Sequence, residues 1–164
     1  MLYKKYPLYD GEMEIMMPSD LHMITDEKKD GMYENQTIRL GDTRLSQYTW
    51  ISEDRRVVVT VTKGGSDMLE SELVMRMQDY YSKYKHDVPD FKCHSIVRRR
   101  INGHEYGQMR YSSEMMSYGF YNVFVLGTFH DREMIMTLQC MESERKTQEH
   151  IFSNITDSIK ILSN

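Results

Sequence analysis

The chain has 164 residues, 40% hydrophobic and 28% charged, the length of a single domain over 1–164 and the proportions of a globular protein rather than of a disordered chain. Nine Gly and three Pro exclude a collagen-like polymer, and a net charge of −4 argues against general nucleic-acid binding.

Asp10-Gly11 lies between hydrophobic runs and marks a hairpin. In 12–17, Met13, Ile15 and Met17 alternate with Glu12, Glu14 and Met16, so one face points inward. Pro18 ends that strand. Residues 19–35 are charged and poor in apolar anchors, and read as a surface loop. Segments 36–40 and 44–51 read as strands around Gly41-Asp42, with the single tryptophan, Trp50, as a core anchor. The run 56–63 is dense in β-branched residues on both faces, as a central strand requires. Gly64-Gly65 is expected to end it.

Asp67 with Glu70 three residues on reads as an N-cap, and Leu69, Leu73, Met77, Tyr80 and Tyr84 form one stripe of a helix. Pro89 stops it. Four strands follow, at 91–101, 104–115, 120–129 and 132–141. They are joined by turns at Asn102-Gly103, Tyr118-Gly119 and His130-Asp131, and the last turns Met134, Met136, Leu138 and Cys140 to one side. A second helix is expected over 146–162, with Ile151, Phe152, Ile155, Ile159 and Leu162 on its buried stripe. The expected fold is therefore α+β: a mainly antiparallel, twisted sheet of about seven to nine strands packed with two helices.

This pattern resembles the Mog/PsbP-like fold group. The resemblance rests on the hairpin Leu8-Tyr9-Asp10-Gly11-Glu12-Met13-Glu14-Ile15 ending in Met17-Pro18, the strand 57–61 running into the helix at Asp67, the hairpin Ile101-Asn102-Gly103-His104, and a final helix ending Asp157-Ser158-Ile159. It covers nearly the whole chain. The resemblance implies a non-enzymatic binder or assembly factor. One bacterial branch, the Eag chaperones, is similar in size and binds apolar helices of secreted effectors.

The residues themselves point to little catalytic chemistry. The six histidines are scattered, and neither a CxxC nor an HExxH spacing is present, so no metal or cofactor is expected. Cys93 and His94 are adjacent, which places them on opposite faces of a strand. Cys140 and His94 sit on late strands, so a thiol–imidazole pair is weighed against two packed thiols. Gly64-Gly65-Ser66-Asp67 lacks the phosphate-loop spacing and reads as a strand-to-helix turn.

Two features suggest binding instead. Methionine occurs 15 times and alanine not at all. Met115, Met116, Tyr118 and Tyr121 gather around one hairpin as a repackable apolar surface for a partner segment. Arg98 and Arg100 share a strand face and form a candidate anion patch, with Asp87 and Asp90 near enough in sequence to offset it. The expected function is a protein-binding domain of bacterial type, an adaptor or secretion chaperone, with small-ligand binding or homodimerisation through an exposed sheet as alternatives. No run approaches the roughly 18 apolar residues of a membrane span, and 1–10 lacks the apolar core of a signal peptide. Membrane insertion is therefore not expected, and a cytoplasmic location is.

Overall fold

In the computed structural model, the described residues are 1–24, 36–40 and 43–162. The chain order is β1 (Tyr3–Leu8), β2 (Met13–Pro18), β3 (Leu21–Ile24), β4 (Gln36–Leu40), β5 (Thr43–Ser52), β6 (Val58–Asp67), α1 (Leu73–Asp87), β7 (Lys92–Ile101), β8 (His104–Met115), β9 (Tyr118–Phe129), β10 (Arg132–Met141), α2 (Arg145–Asp157) and β11 (Lys160–Ile161). The α+β, antiparallel architecture is the one the sequence predicts. Eight strands form a large sheet ordered β3-β5-β6-β10-β9-β8-β7, with β4 paired beside β3 on the long strand β5. All pairings are antiparallel.

The structure adds a division that strand periodicity does not carry. β1 and β2 do not join the large sheet; with β11 they make a separate three-stranded sheet. It packs with α2 on one face of the large sheet, where Met13, Ile15 and Met17 meet Trp50, Val59, Val61 and Phe152. α1 covers the other face, where Leu73 and Met77 pack on Met109, Phe124 and Leu126. β9 is continuously apolar because Val123 and Val125 face α2 while Phe124 and Leu126 face α1.

Several boundaries differ from the expectation, each for a local reason. Gly64-Gly65 does not end β6; it continues to Asp67, opposite a register shift between Arg132 and Met134. Asp67 is thus not a helix cap, and its carboxylate instead meets the Arg132 guanidinium at 3.0 Å. The chain enters α1 through a tight turn at Glu70–Glu72, where Glu72 accepts a hydrogen bond from the Leu69 N–H at 2.9 Å. This leaves Leu69 outside the buried stripe and exposed. The turn after β8 falls at Met116-Ser117, both at positive φ, rather than at Tyr118-Gly119. α2 starts at Arg145 and ends at Asp157. Ile159 is buried beyond the helix and Leu162 is exposed, because Lys160–Ile161 pairs with β2. Part of 19–35 is not loop: Leu21–Ile24 is β3. The remainder, like the expected turn at Gly41-Asp42, lies outside the described residues.

Two glycines let elements approach. A Cβ on Gly107 would sit 2.3 Å from Met77 Cγ, so only glycine lets α1 rest its methionine there. On the other face, a Cβ on Gly127 would meet the Tyr106 ring at 2.5 Å.

Candidate functional site

β7 is the last strand of the large sheet, with β8 its neighbour on one side and none on the other among the described residues. α1 crosses the same region, and between them runs an apolar groove of about 180 Å³. Leu73, Val74 and Met77 form its helix side, and Ile96 and Val97 its strand side. Val74, Ile96 and Val97 are exposed, an unusual state for aliphatic side chains on neighbouring elements. The register explains the order of residues along the groove. Ile96 is opposite Met109 and Arg98 is opposite Gly107, both on the α1 face, and Arg100 follows on that face opposite Glu105. The groove therefore passes from aliphatic to cationic in steps of two residues.

The predicted anion patch sits at that end. Arg98 and Arg100 are 62% and 65% exposed, and both reach one carboxylate, Glu105, at 3.5 and 3.3 Å. Asp87 does not offset them, since it pairs with His86. Arg99 points to the opposite face, toward Asp157 (2.7 Å) and Gln108 (3.1 Å).

Three of the four residues of the apolar hairpin stand together at the β8–β9 tip: Met115, Met116 and Tyr118 are 58%, 86% and 60% exposed. Tyr121 does not belong with them. It is fully buried, stacked on Phe152 of α2 with the Arg145 guanidinium over its ring. The cause is strand geometry. Tyr118 and Tyr121 are three residues apart, an odd offset, and so point to opposite faces; the sequence carried that signal.

The thiol–imidazole pair does not form. Cys140 is fully buried, and burial pushes its thiol up to about 12; Cys93 is shifted upward by the same cause. Cys93 packs toward α1, while His94 lies on the α2 side beside Tyr121. His94 Nε2 is 2.6 Å from Ser112 Oγ, and that hydroxyl donates to Glu142 at 2.8 Å. A carboxylate only accepts, so the serine hydroxyl donates to Glu142, and His94 Nε2 also faces the Arg145 guanidinium, which only donates, at 3.3 Å. Burial and the nearby Arg145 charge hold the His94 pKa below its usual value. The cluster joins β7 and β8 to the turn before α2, and sequence spacing gave no hint of it, because its members are drawn from three separated elements.

A second recess, of about 320 Å³, lies at the other end of the sheet between the turns that carry His104 and His130. His104 faces Glu70 at 3.8 Å, and His130 pairs with Glu12 at 2.8 Å. No group of three or more metal-ligating side chains comes together among the described residues, and no helix among them is long and apolar enough to cross a membrane.

No protein-family model matches the sequence, and no curated protein matches it. Solved structures do. The cyanobacterial PsbP (CyanoP) of Synechocystis sp. PCC 6803 superposes with a TM-score of 0.63 at 10% identity, over 97% of this chain and 92% of that one. LpqN of Mycobacterium tuberculosis, described as involved in cell envelope biogenesis, gives a TM-score of 0.52 at 10% identity, over 96% and 90%. A protein of unknown function from Pseudomonas aeruginosa, PA94, gives 0.58 at 12% identity, over 75% and 94%. The chain thus has the Mog/PsbP-like fold that its opening hairpin and element order suggest. At such identities the likeness is one of fold alone.

Proposed function

We propose that this chain is a non-enzymatic domain of bacterial type that recognises an apolar segment of a partner protein, as an adaptor or secretion chaperone does. The observation that supports it is the groove between α1 and the open edge of β7, where aliphatic side chains of both elements stay exposed. An extended or helical apolar segment laid there would remove Val74 and Ile96 from water, at roughly 25 cal/mol per Å² of apolar surface. The exposed tip Met115-Met116 with Tyr118 is a second apolar surface of the same kind, built from adaptable side chains. The non-enzymatic part of the reading is supported by the reagents present. The Cys140 thiol is held protonated by burial.

The experiment is recovery of partners from native lysate on immobilised wild type, a Val74→Asp/Ile96→Asp variant and a Met115→Asp/Tyr118→Asp variant. We expect a discrete partner on wild type that is lost with the groove variant. Equal recovery on all three removes both surfaces. Loss only with the tip variant moves the site to the hairpin.

A second reading, binding of a small polar ligand, is favoured by the recess between His104 and His130, whose volume suits such a ligand. Chemical-shift changes at His104 and His130 on screening small anions and amino acids would support it; none would end it.

A further inference from the structure

Resting on the partner-binding reading above, we infer that the groove's occupant is an extended, acidic-apolar segment of another protein, added as a further antiparallel strand to β7. Three independent observations converge on this. First, β7 offers ten residues of edge, whose outer row of N–H and C=O groups has no strand beside it among the described residues. Such a row is a template for strand addition. Every other pairing in the sheet is antiparallel, so an added strand continues the pattern in that sense.

Second, α1 lies beside this edge on one face only. Side chains of an added strand that point toward α1, every second residue, would lie along Ile96, Arg98 and Arg100 in turn, with Val74 and Met77 beyond them. A complementary strand therefore carries one apolar residue and two carboxylates at intervals of two.

Third, the rim presents two exposed guanidiniums. Arg98 and Arg100 share the single carboxylate of Glu105, while Glu70, which lines the same recess, is within reach of His104. Two largely exposed guanidiniums with one carboxylate between them retain donors for a partner's Asp or Glu, in the planar geometry that carboxylates match. The same two arginines disfavour a second copy of this chain, which would bring its own Arg98 and Arg100 to the edge. Charged edges protect a sheet from self-pairing in this way.

The test is selection of a phage-displayed library of random ten-residue peptides on the full chain, followed by fluorescence polarisation of the enriched peptides. We expect enriched sequences with Asp or Glu alternating at spacing two beside an aliphatic residue. Their affinity should fall at least about tenfold on Arg98→Glu/Arg100→Glu and rise at low salt. N-methylation of alternate residues of such a peptide should abolish binding in one phase and leave it in the other, as strand pairing requires. Because both arginines are exposed, circular dichroism of the charge-reversed chain should match wild type. Enrichment of apolar peptides without acidic bias, unaffected by charge reversal, overturns this inference and leaves apolar partner recognition standing. No enrichment, or equal enrichment on Val74→Asp/Ile96→Asp, overturns both. A wild-type dimer in sedimentation that Ile96→Asp dissociates makes a second copy the occupant and overturns the acidic strand.

Discussion

The two faces of the large sheet are closed to different degrees. Beneath α2 and the small sheet, Trp50, Val59, Val61, Met134, Met136 and Leu138 lose all contact with solvent. Beneath α1 the fully buried set is short, and it is ringed by half-buried aromatics: Tyr80, Tyr81, Tyr84, Phe91 and Tyr111. The rings meet edge to face or tilted, as in Tyr84–Tyr111 at 5.6 Å and Phe91–Tyr111 at 5.2 Å. A helix and a three-stranded sheet can seal one side of the large sheet, whereas a single helix of 15 residues covers only a strip of the other. The strip ends at β7, and there the apolar groove opens. The lesson is that an exposed apolar surface here follows from one layer being narrower than the sheet it covers.

That contrast can be broken most severely from the closed side. Phe152→Ala, which removes the ring stacked on Tyr121, should cost about 3–5 kcal/mol in urea unfolding. A cost below 1 kcal/mol would mean that this face is not the closed one. On the open side, Gly107→Ala places a methyl against Met77 and should cost about 1–3 kcal/mol. Adding Met77→Ala should return part of that loss, and simple additivity of the two would disprove the contact. Arg76→Met leaves the buried Glu133 carboxylate with the Tyr80 hydroxyl, which donates at 2.8 Å, as its one side-chain partner among the described residues. It should cost about 1–3 kcal/mol in the same assay.

The pH profile should distinguish the faces more gently. A thiol ordinarily ionises near 9.0, and Cys140 is pushed up to about 12 by burial. The folded chain therefore keeps a proton that the unfolded chain releases. This stabilisation is complete below pH 9 and is lost as pH rises toward 12. Half-buried Tyr80, Tyr84 and Tyr111 on the open side and buried Tyr106 on the closed side shift in the same direction, also through desolvation. Cys140→Val should delay the onset of alkaline loss. His94 acts with the opposite sign: its pKa is lowered in the fold, so its contribution is present above about 6.5 and lost as pH falls below it. A His94→Gln chain should lose less stability between pH 7 and 5. The smallest effect belongs to Met116→Ser at the exposed tip, which should shift stability by under about 0.5 kcal/mol.

Period-two alternation and tight-turn chemistry were enough to place Met13, Ile15 and Met17 inward, to pair β7 with β8 at Asn102-Gly103, and to line up Met134, Met136, Leu138 and Cys140. Each depends on neighbours in the chain. The separation of Arg98 and Arg100 from Arg99 followed from the same rule. What failed were readings that need a partner from elsewhere. Asp67 looked like a cap until Arg132 claimed it, Gly64-Gly65 looked like a break until β10 paired past it, and Ile159 looked helical until β2 drew the chain into β11. Tyr121 was misplaced because clustering in sequence outweighed strand parity.

The sequence by itself determined the antiparallel α+β class, most strands, both amphipathic helices and the shared strand face of Arg98 and Arg100, because these arise from short-range periodicity and backbone preference. Only the tertiary structure decided that the first hairpin forms its own sheet with the C-terminal strand, that α1 stops short of β7, and that Val74 and Ile96 therefore stay in water beside Arg98. Those outcomes depend on how wide one packed layer is against another, a quantity that no local pattern of side chains encodes.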